Sequence, residues 1–168
     1  MKKVFLAICA GVIGLVSYGQ QGTTKIGIGA EVGIPTGDFD AFKTGFGGYA
    51  KGLFGIGTAG QITFTSGYTT YEAKGSTSSD KITYNIIPLL AGYRHNFSGF
   101  YVEPQVGYGI YGAKVKSGGI SASSSDGAFT WAAGVGYVIN DAIELGARYQ
   151  SGHKDGSSTS LVGLRIGY

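Results

Sequence analysis

Charge, cysteine and proline are all scarce in this chain, and it has no apolar run long enough for a membrane helix. Asp, Glu, Lys and Arg make up only 14% of its 168 residues, with 13 basic against 10 acidic side chains. So slight an excess does not argue for a nucleic-acid partner. Cys9 is the single cysteine, which excludes an intrachain disulfide and a Cys-ligated metal centre. The longest apolar stretch, residues 4–16, falls short of the ~20 residues that a spanning helix needs. Glycines alternate through 107–112, but no helical pattern follows them, so dinucleotide binding is rejected. No pattern of metal ligands or of phosphate-cradling residues stands out, and no cofactor is expected.

What is abundant is glycine, at 32 residues, and tyrosine, at 12. Without a Gly-X-Y period this is not collagen. The apolar residues alternate along the chain and are not sparse, so it is not disordered either. Lys2 and Lys3, an apolar segment over 4–16 and the small residues Ser17 and Gly19 read as a secretory signal peptide over 1–19, cut before Gln20. Cys9 is a poor lipoprotein cysteine, because it lies within the apolar segment and Leu6-Ala7-Ile8 puts bulk where a small residue is expected. The expected mature domain is 20–168, with no thiol and a formal charge reduced to +1 by loss of the two lysines.

Period-two segments predict eight strands, at about 24–34, 46–56, 61–71, 81–94, 100–111, 128–138, 143–151 and 160–168. Each is near the ~9–11 residues of a tilted membrane strand. Even-numbered connections are short turns (57–60, 95–99 and 139–142). Odd-numbered ones (35–45, 72–80, 112–127 and 152–159) are longer and polar. Sorting by parity is the habit of outer-membrane barrels, with turns in the periplasm and loops outside. A soluble sandwich has no reason to show it. The expectation is an all-β, eight-stranded antiparallel transmembrane up-and-down β-barrel in the Gram-negative outer membrane, with both termini periplasmic.

The alternation also orients the side chains. Ile26, Ile28, Ala30, Val32 and Ile34 share one face of the first strand, opposite Lys25, Gly27, Gly29, Glu31 and Gly33. The polar faces of the strands hold mostly Gly, Thr, Gln and Ala, which suits a cramped lumen better than a solvated exterior. The apolar faces are therefore expected to meet lipid. Phe54, Phe100, Tyr137 and Tyr168 would ring the periplasmic rim, and Tyr68, Tyr84, Phe129, Trp131 and Tyr149 the outer rim, as aromatic girdles. Residues 86–91 are apolar on both faces. Thr83 and Asn85 favour one phase and Arg94 the other, and a bulge or ladder break near Pro88 could switch between them.

With the apolar face outward, Glu31, Lys51, Glu103, Glu144, Arg148 and Arg165 project into the lumen. Three acids against three bases predict a paired interior network, since an unpaired ion there would cost several kcal/mol, roughly. Glu31, Lys51 and Arg148 fall near mid-barrel, Glu103 and Arg165 lower, and Glu144 lower still. Tyr49, Tyr101 and Tyr111 are expected to fill the space left by inward glycines.

Three stretches resemble the bacterial outer-membrane β-barrel domain family common in Bacteroidota: Gly27-Ile28-Gly29-Ala30-Glu31-Val32-Gly33-Ile34-Pro35-Thr36-Gly37-Asp38-Phe39, Asn85-Ile86-Ile87-Pro88-Leu89-Leu90-Ala91-Gly92-Tyr93-Arg94 and Phe100-Tyr101-Val102-Glu103-Pro104-Gln105-Val106-Gly107-Tyr108-Gly109. Gly163, Ile166 and Tyr168 resemble the terminal signal read by the barrel-assembly machinery, with Leu161 departing from it. Similarity to OmpA/OmpX-like and opacity-like small barrels implies a structural or surface-interaction role and not catalysis. The expected partners are outer-membrane lipids, lipopolysaccharide and the assembly machinery, with no nucleic acid and a monomeric state. Lys74, Lys114, Lys116 and Lys154 are candidates for lipopolysaccharide phosphates, or only solvate the loops. A narrow channel for small or apolar solutes is the alternative. A lipid A-modifying enzyme using His153, Asp155 and neighbouring serines is a further one, and His95 is expected far away in a periplasmic turn.

Overall fold

The computed structural model describes residues 24–76, 80–118, 120–140, 142–154 and 156–168; the expected signal peptide, 1–19, lies outside them. Eight strands follow in order: β1 (Thr24–Thr36), β2 (Gly45–Ile56), β3 (Gly60–Glu72), β4 (Asp80–Phe97), β5 (Phe100–Ser117), β6 (Ile120–Ile139), β7 (Ile143–Lys154) and β8 (Ser157–Gly167). Each pairs antiparallel with the next, and β8 returns to β1 to close the barrel. Ile28 and Tyr168 exchange both backbone hydrogen bonds at 2.8 Å and extend that seam.

The apolar face is outside. Ile28, Val106 and Leu145 are 64%, 56% and 43% exposed, whereas Glu31 and Arg148 are buried. On β4 the even-numbered residues face inward: Ile86, Leu90 and Arg94 are buried, while Leu89 and Tyr93 are exposed. Two ladder positions of β3–β4 around Pro88 are skipped, yet Ser66↔Leu89 and Thr69↔Ile86 keep one register, so no bulge switches the phase. Proline removes a donor here without moving its neighbours.

Two expectations need correction. Two of the four polar segments read as loops are largely strand. β5 and β6 pair up to Ser117↔Ile120, so the 112–127 connection is a tall hairpin, and β7 and β8 pair up to Lys154↔Ser157. Above the apolar band both faces meet water, so alternation vanishes although the ladder continues. Tyr84, placed above in the outer girdle, points into the mouth of the barrel. Its ring lies 5.1 Å from Phe39 and 6.3 Å from Tyr111.

Phe39 ends a single 3-10 turn, Gly37–Phe39, in the first long connection. It is 4% exposed and packs with Tyr71, Ile86, Tyr111, Ala128 and Leu161, flanked by Phe42 and Tyr84. The segment is held across the mouth by a Phe42↔Ala73 bridge and by Lys43 N–H donating to Glu72 C=O at 2.8 Å. The hairpin end of the lumen is thus closed by an apolar cluster.

Elsewhere tyrosines fill the lumen by lying over glycines of neighbouring strands. Tyr49 covers Gly29 and Gly167, Tyr71 covers Gly33 and Gly45, and Tyr101 covers Gly136 and Gly146. This accounts for the joint excess of the two residue types, since an inward ring can lie down against the adjoining strands only where they carry no side chain. At Gly136 a Cβ would sit 2.6 Å from the Leu145 carbonyl oxygen as well as against Tyr101. Gly136→Val should therefore destabilise the barrel by about 1–3 kcal/mol, whereas Gly112→Ala, whose Cβ would find its nearest neighbour at 3.8 Å, should be near neutral. Urea unfolding from phospholipid vesicles measures both. Equal midpoints for the two variants would refute this account of the glycines.

Candidate functional site

Inward charges from six strands converge in the lumen. In the lower group, toward the termini and short turns, Lys51 Nζ lies 2.8 Å from Glu103 and 3.4 Å from Glu144. Arg94 bridges the same two carboxylates, at 2.8 Å to Glu103 and 2.7 Å to Glu144. Thr63 and Gln105 each donate to Glu103 at 2.8 Å, and Tyr101 donates to Glu144 at 2.8 Å. The Arg94 guanidinium stacks on the Tyr101 ring at 3.7 Å. In the upper group Glu31 accepts from Arg148 Nη2 at 3.0 Å, from Arg165 Nε and from Thr69 at 3.4 Å. Arg165 stacks on Tyr49 at 4.3 Å.

All six ions expected in the lumen are brought together, but as two groups and with a seventh member. Arg94 was missed because the facing of β4 could not be read. The heights also regroup: Lys51 joins Glu103 and Glu144, and Arg165, the direct ladder partner of Glu31, joins the upper group. The balance is three carboxylates against four cations, not three against three. The lower group is neutral. The upper one carries one positive charge in excess, and no described residue offers an acceptor to Arg148 Nε and Nη1.

Below the lower group the bore widens into a vestibule of about 510 Å³ that opens at the turn end, lined by Lys25, Tyr49, Lys51, Arg94, Asn96 and Glu144 among others. Above it come the two ion groups and then the Phe39 cluster.

The terminal residues Gly163, Ile166 and Tyr168 divide between the two faces of β8 and its end. Ile166 and Tyr168 are exposed on the outward face. Gly163 faces inward against Glu31, whose carboxylate carbon would lie 3.0 Å from a Cβ there, so glycine at this position makes room for the upper group. The serine and histidine residues of the last hairpin meet on the outward face. Ser151 Oγ lies 3.0 Å from His153 Nε2 and 2.9 Å from Ser160 Oγ, and Trp131 donates to the same His153 nitrogen at 3.2 Å. Ser151 is buried, and no described carboxylate is bonded to His153. Asp155 lies outside the described residues. His95 sits at the end of β4, its Nδ1 3.2 Å from the Tyr93 hydroxyl, far from His153 along the barrel.

Removing Glu31 would leave two buried guanidinium groups without a carboxylate. Glu31→Gln should cost about 3–5 kcal/mol. Lys51→Met combined with Glu144→Gln leaves the Arg94–Glu103 pair intact, so the double variant should be more stable than Glu144→Gln alone. Urea unfolding of the native chain, the two single variants and the double variant decides this, and additive losses in the double variant would contradict a shared network.

The barrel is similar in structure to Ail, the attachment invasion locus protein of Yersinia pestis, solved with the heparin analogue sucrose octasulfate. The TM-score is 0.69, with 19% identity over 89% of this chain and 99% of that one. The N-terminal β-barrel domain of Pseudomonas aeruginosa OprF matches with a TM-score of 0.64 and 15% identity over 88% and 98% of the two chains. Neisserial surface protein A matches at 0.60 and 16% identity over 88% and 97%. At these identities the likeness is one of fold. No curated protein sequence matches the chain. The family model described as the outer membrane protein beta-barrel domain matches residues 5–168, and the chain belongs to that family.

Proposed function

We propose that this protein is a closed structural and surface-interaction barrel of the Gram-negative outer membrane, with termini and short turns in the periplasm and its tall hairpins outside. The observation that carries the reading is the filled bore. Two ion groups and an aromatic cluster occupy successive levels of the lumen, so the distinctive surfaces left to the molecule are its hairpins and its outer wall. The apolar wall, with aromatic residues toward both ends, suits immersion in lipid. In this reading Gly163, Ile166 and Tyr168 serve recognition by the assembly machinery, and the chain works as a monomer.

A channel draws support from the vestibule alone, and a solute entering it would have to part Arg94 from both carboxylates. Catalysis draws no support from the Ser151–His153 contact, because the serine is buried, its histidine nitrogen is shared with Trp131, and no carboxylate among the described residues orients the ring as in a nucleophilic triad.

Two measurements test the reading. A membrane-impermeant maleimide on intact cells should label Ser121→Cys and spare Thr58→Cys; the reverse pattern would invert the orientation. Planar bilayers containing the folded protein should show no conductance steps above leak, for the native chain and for Phe39→Ala alike, because the ion groups remain. Discrete steps from the native chain would replace the structural reading with the channel.

A further inference from the structure

On the outer wall of β4 the outward residues from Phe97 to Ile87 are largely apolar, and on β5 they are apolar from Phe100 to Ile110. Ten residues at the usual strand tilt span about 25 Å, the height of a hydrocarbon band. Directly above Ile87 and Ile110 the wall changes character. The next outward positions are Asn85, Thr83 and Lys81 on β4, and Gly112, Lys114 and Lys116 on β5. β3 adds Thr70 and Glu72, in register with Asn85 and Thr83.

These residues enclose a hollow of about 340 Å³, lined by Thr70, Thr83 and Asn85, by Lys81, Lys114 and Lys116, and at its lower edge by Tyr68. Gly112 keeps its wall low, since a Cβ there would have its nearest neighbour 3.8 Å away. Lys81 and Lys116 are direct ladder partners, and Lys114 is the partner of Thr83. Like charges placed opposite one another destabilise a strand pair. Glu72 offsets this only in part, because it is shared by Lys81 at 2.7 Å and Lys43 at 3.2 Å. Lys114 and Lys116 have no carboxylate partner among the described residues. Asp80, three strand positions before Thr83, belongs to the inward phase and accepts from Ser117.

We propose that this hollow binds the phosphorylated headgroup of an outer-leaflet glycolipid of the lipid A type, its acyl chains running down the wall beside Tyr68, Ile87, Tyr108 and Ile110. The inference rests on the membrane orientation proposed above. Three lysines line the hollow just above the apolar band, Lys81 with its ammonium on Glu72 and Lys114 and Lys116 without a described carboxylate, and the hydroxyls of Thr70 and Thr83 and the Asn85 amide supply neutral hydrogen-bonding groups beside them. A soluble phosphate would use the lysines but leave the apolar lower edge unused, whereas a lipid uses both. Of the loop lysines named from the sequence, Lys154 pairs with Asp126 and Lys74 does not line the hollow; Lys81 takes their place.

Native mass spectrometry of the full mature chain, folded in detergent and loaded with defined lipids, tests this. The native protein should retain bis-phosphorylated lipid A and hold the fully dephosphorylated glycolipid far more weakly. Lys114→Gln with Lys116→Gln should bind the bis-phosphorylated form roughly thirtyfold more weakly, while Lys25→Gln, at the opposite end, should bind as the native chain does. Inorganic pyrophosphate at millimolar concentration should not displace the lipid. Equal retention of both glycolipids, an unaffected double variant, or displacement by pyrophosphate would each overturn the proposal. Heat-modifiable migration is recorded for every sample. A native chain that never folds as a barrel in lipid would fail the membrane reading itself, whereas a folded barrel that ignores phosphate fails only this inference.

Discussion

Every backbone N–H and C=O that meets hydrocarbon must find its partner within the protein. In a sheet that condition is met only by closure, and here closure rests on the β1–β8 seam from Gly29↔Gly167 to Thr36↔Ser160. Eight strands closed in this way leave a bore about as wide as the side chains that line it. The remaining features follow from the need to fill that bore. Tyrosine over glycine fills it where the wall is bare. Carboxylate against guanidinium or ammonium fills it at two levels. Phe39, brought in from a connection, fills it where the wall itself turns apolar.

The fold was legible because lipid outside and packed polarity inside give a clean period of two, and for most strands the phase follows at once. β4 resisted because its interior face carries Ile86, which joins the apolar cluster around Phe39, and the buried Leu90. A strand that is apolar toward lipid and also toward a local core has no alternation to read. The same ambiguity hid Arg94, which belongs to the even phase together with Ile86 and Leu90. The hairpins were underestimated for the opposite reason: above the membrane both faces of β5 and β6 are wet, and polar residues there say nothing about pairing. The lipid-facing hollow was out of reach for a related cause, since it depends on the register that sets Lys81 opposite Lys116.

The ion groups show how a charge count and an arrangement differ. From the sequence the lumen balances; in the structure one guanidinium more than expected enters, and the excess settles in the upper group. The lower group is a closed ring of alternating charges, with Arg94 and Lys51 each touching both Glu103 and Glu144. Such shared contacts make each member depend on the others, and breaking any one leaves an uncompensated charge away from water. In the upper group Glu31 alone serves two arginines, which makes it the more fragile of the two.

The ladder between β6 and β7 ends at Phe129↔His153, while β6 continues beside β5 to Ile120. Residues 120–126 therefore form an exposed sheet margin, one side of whose backbone has no ladder partner among the described residues. That margin is built from short serines and an alanine with Asp126 among them and has a single bulky residue, Ile120. Sheets fuse through long, flat, greasy margins. A serine-studded one lets copies of the barrel crowd together without knitting into a continuous fibre.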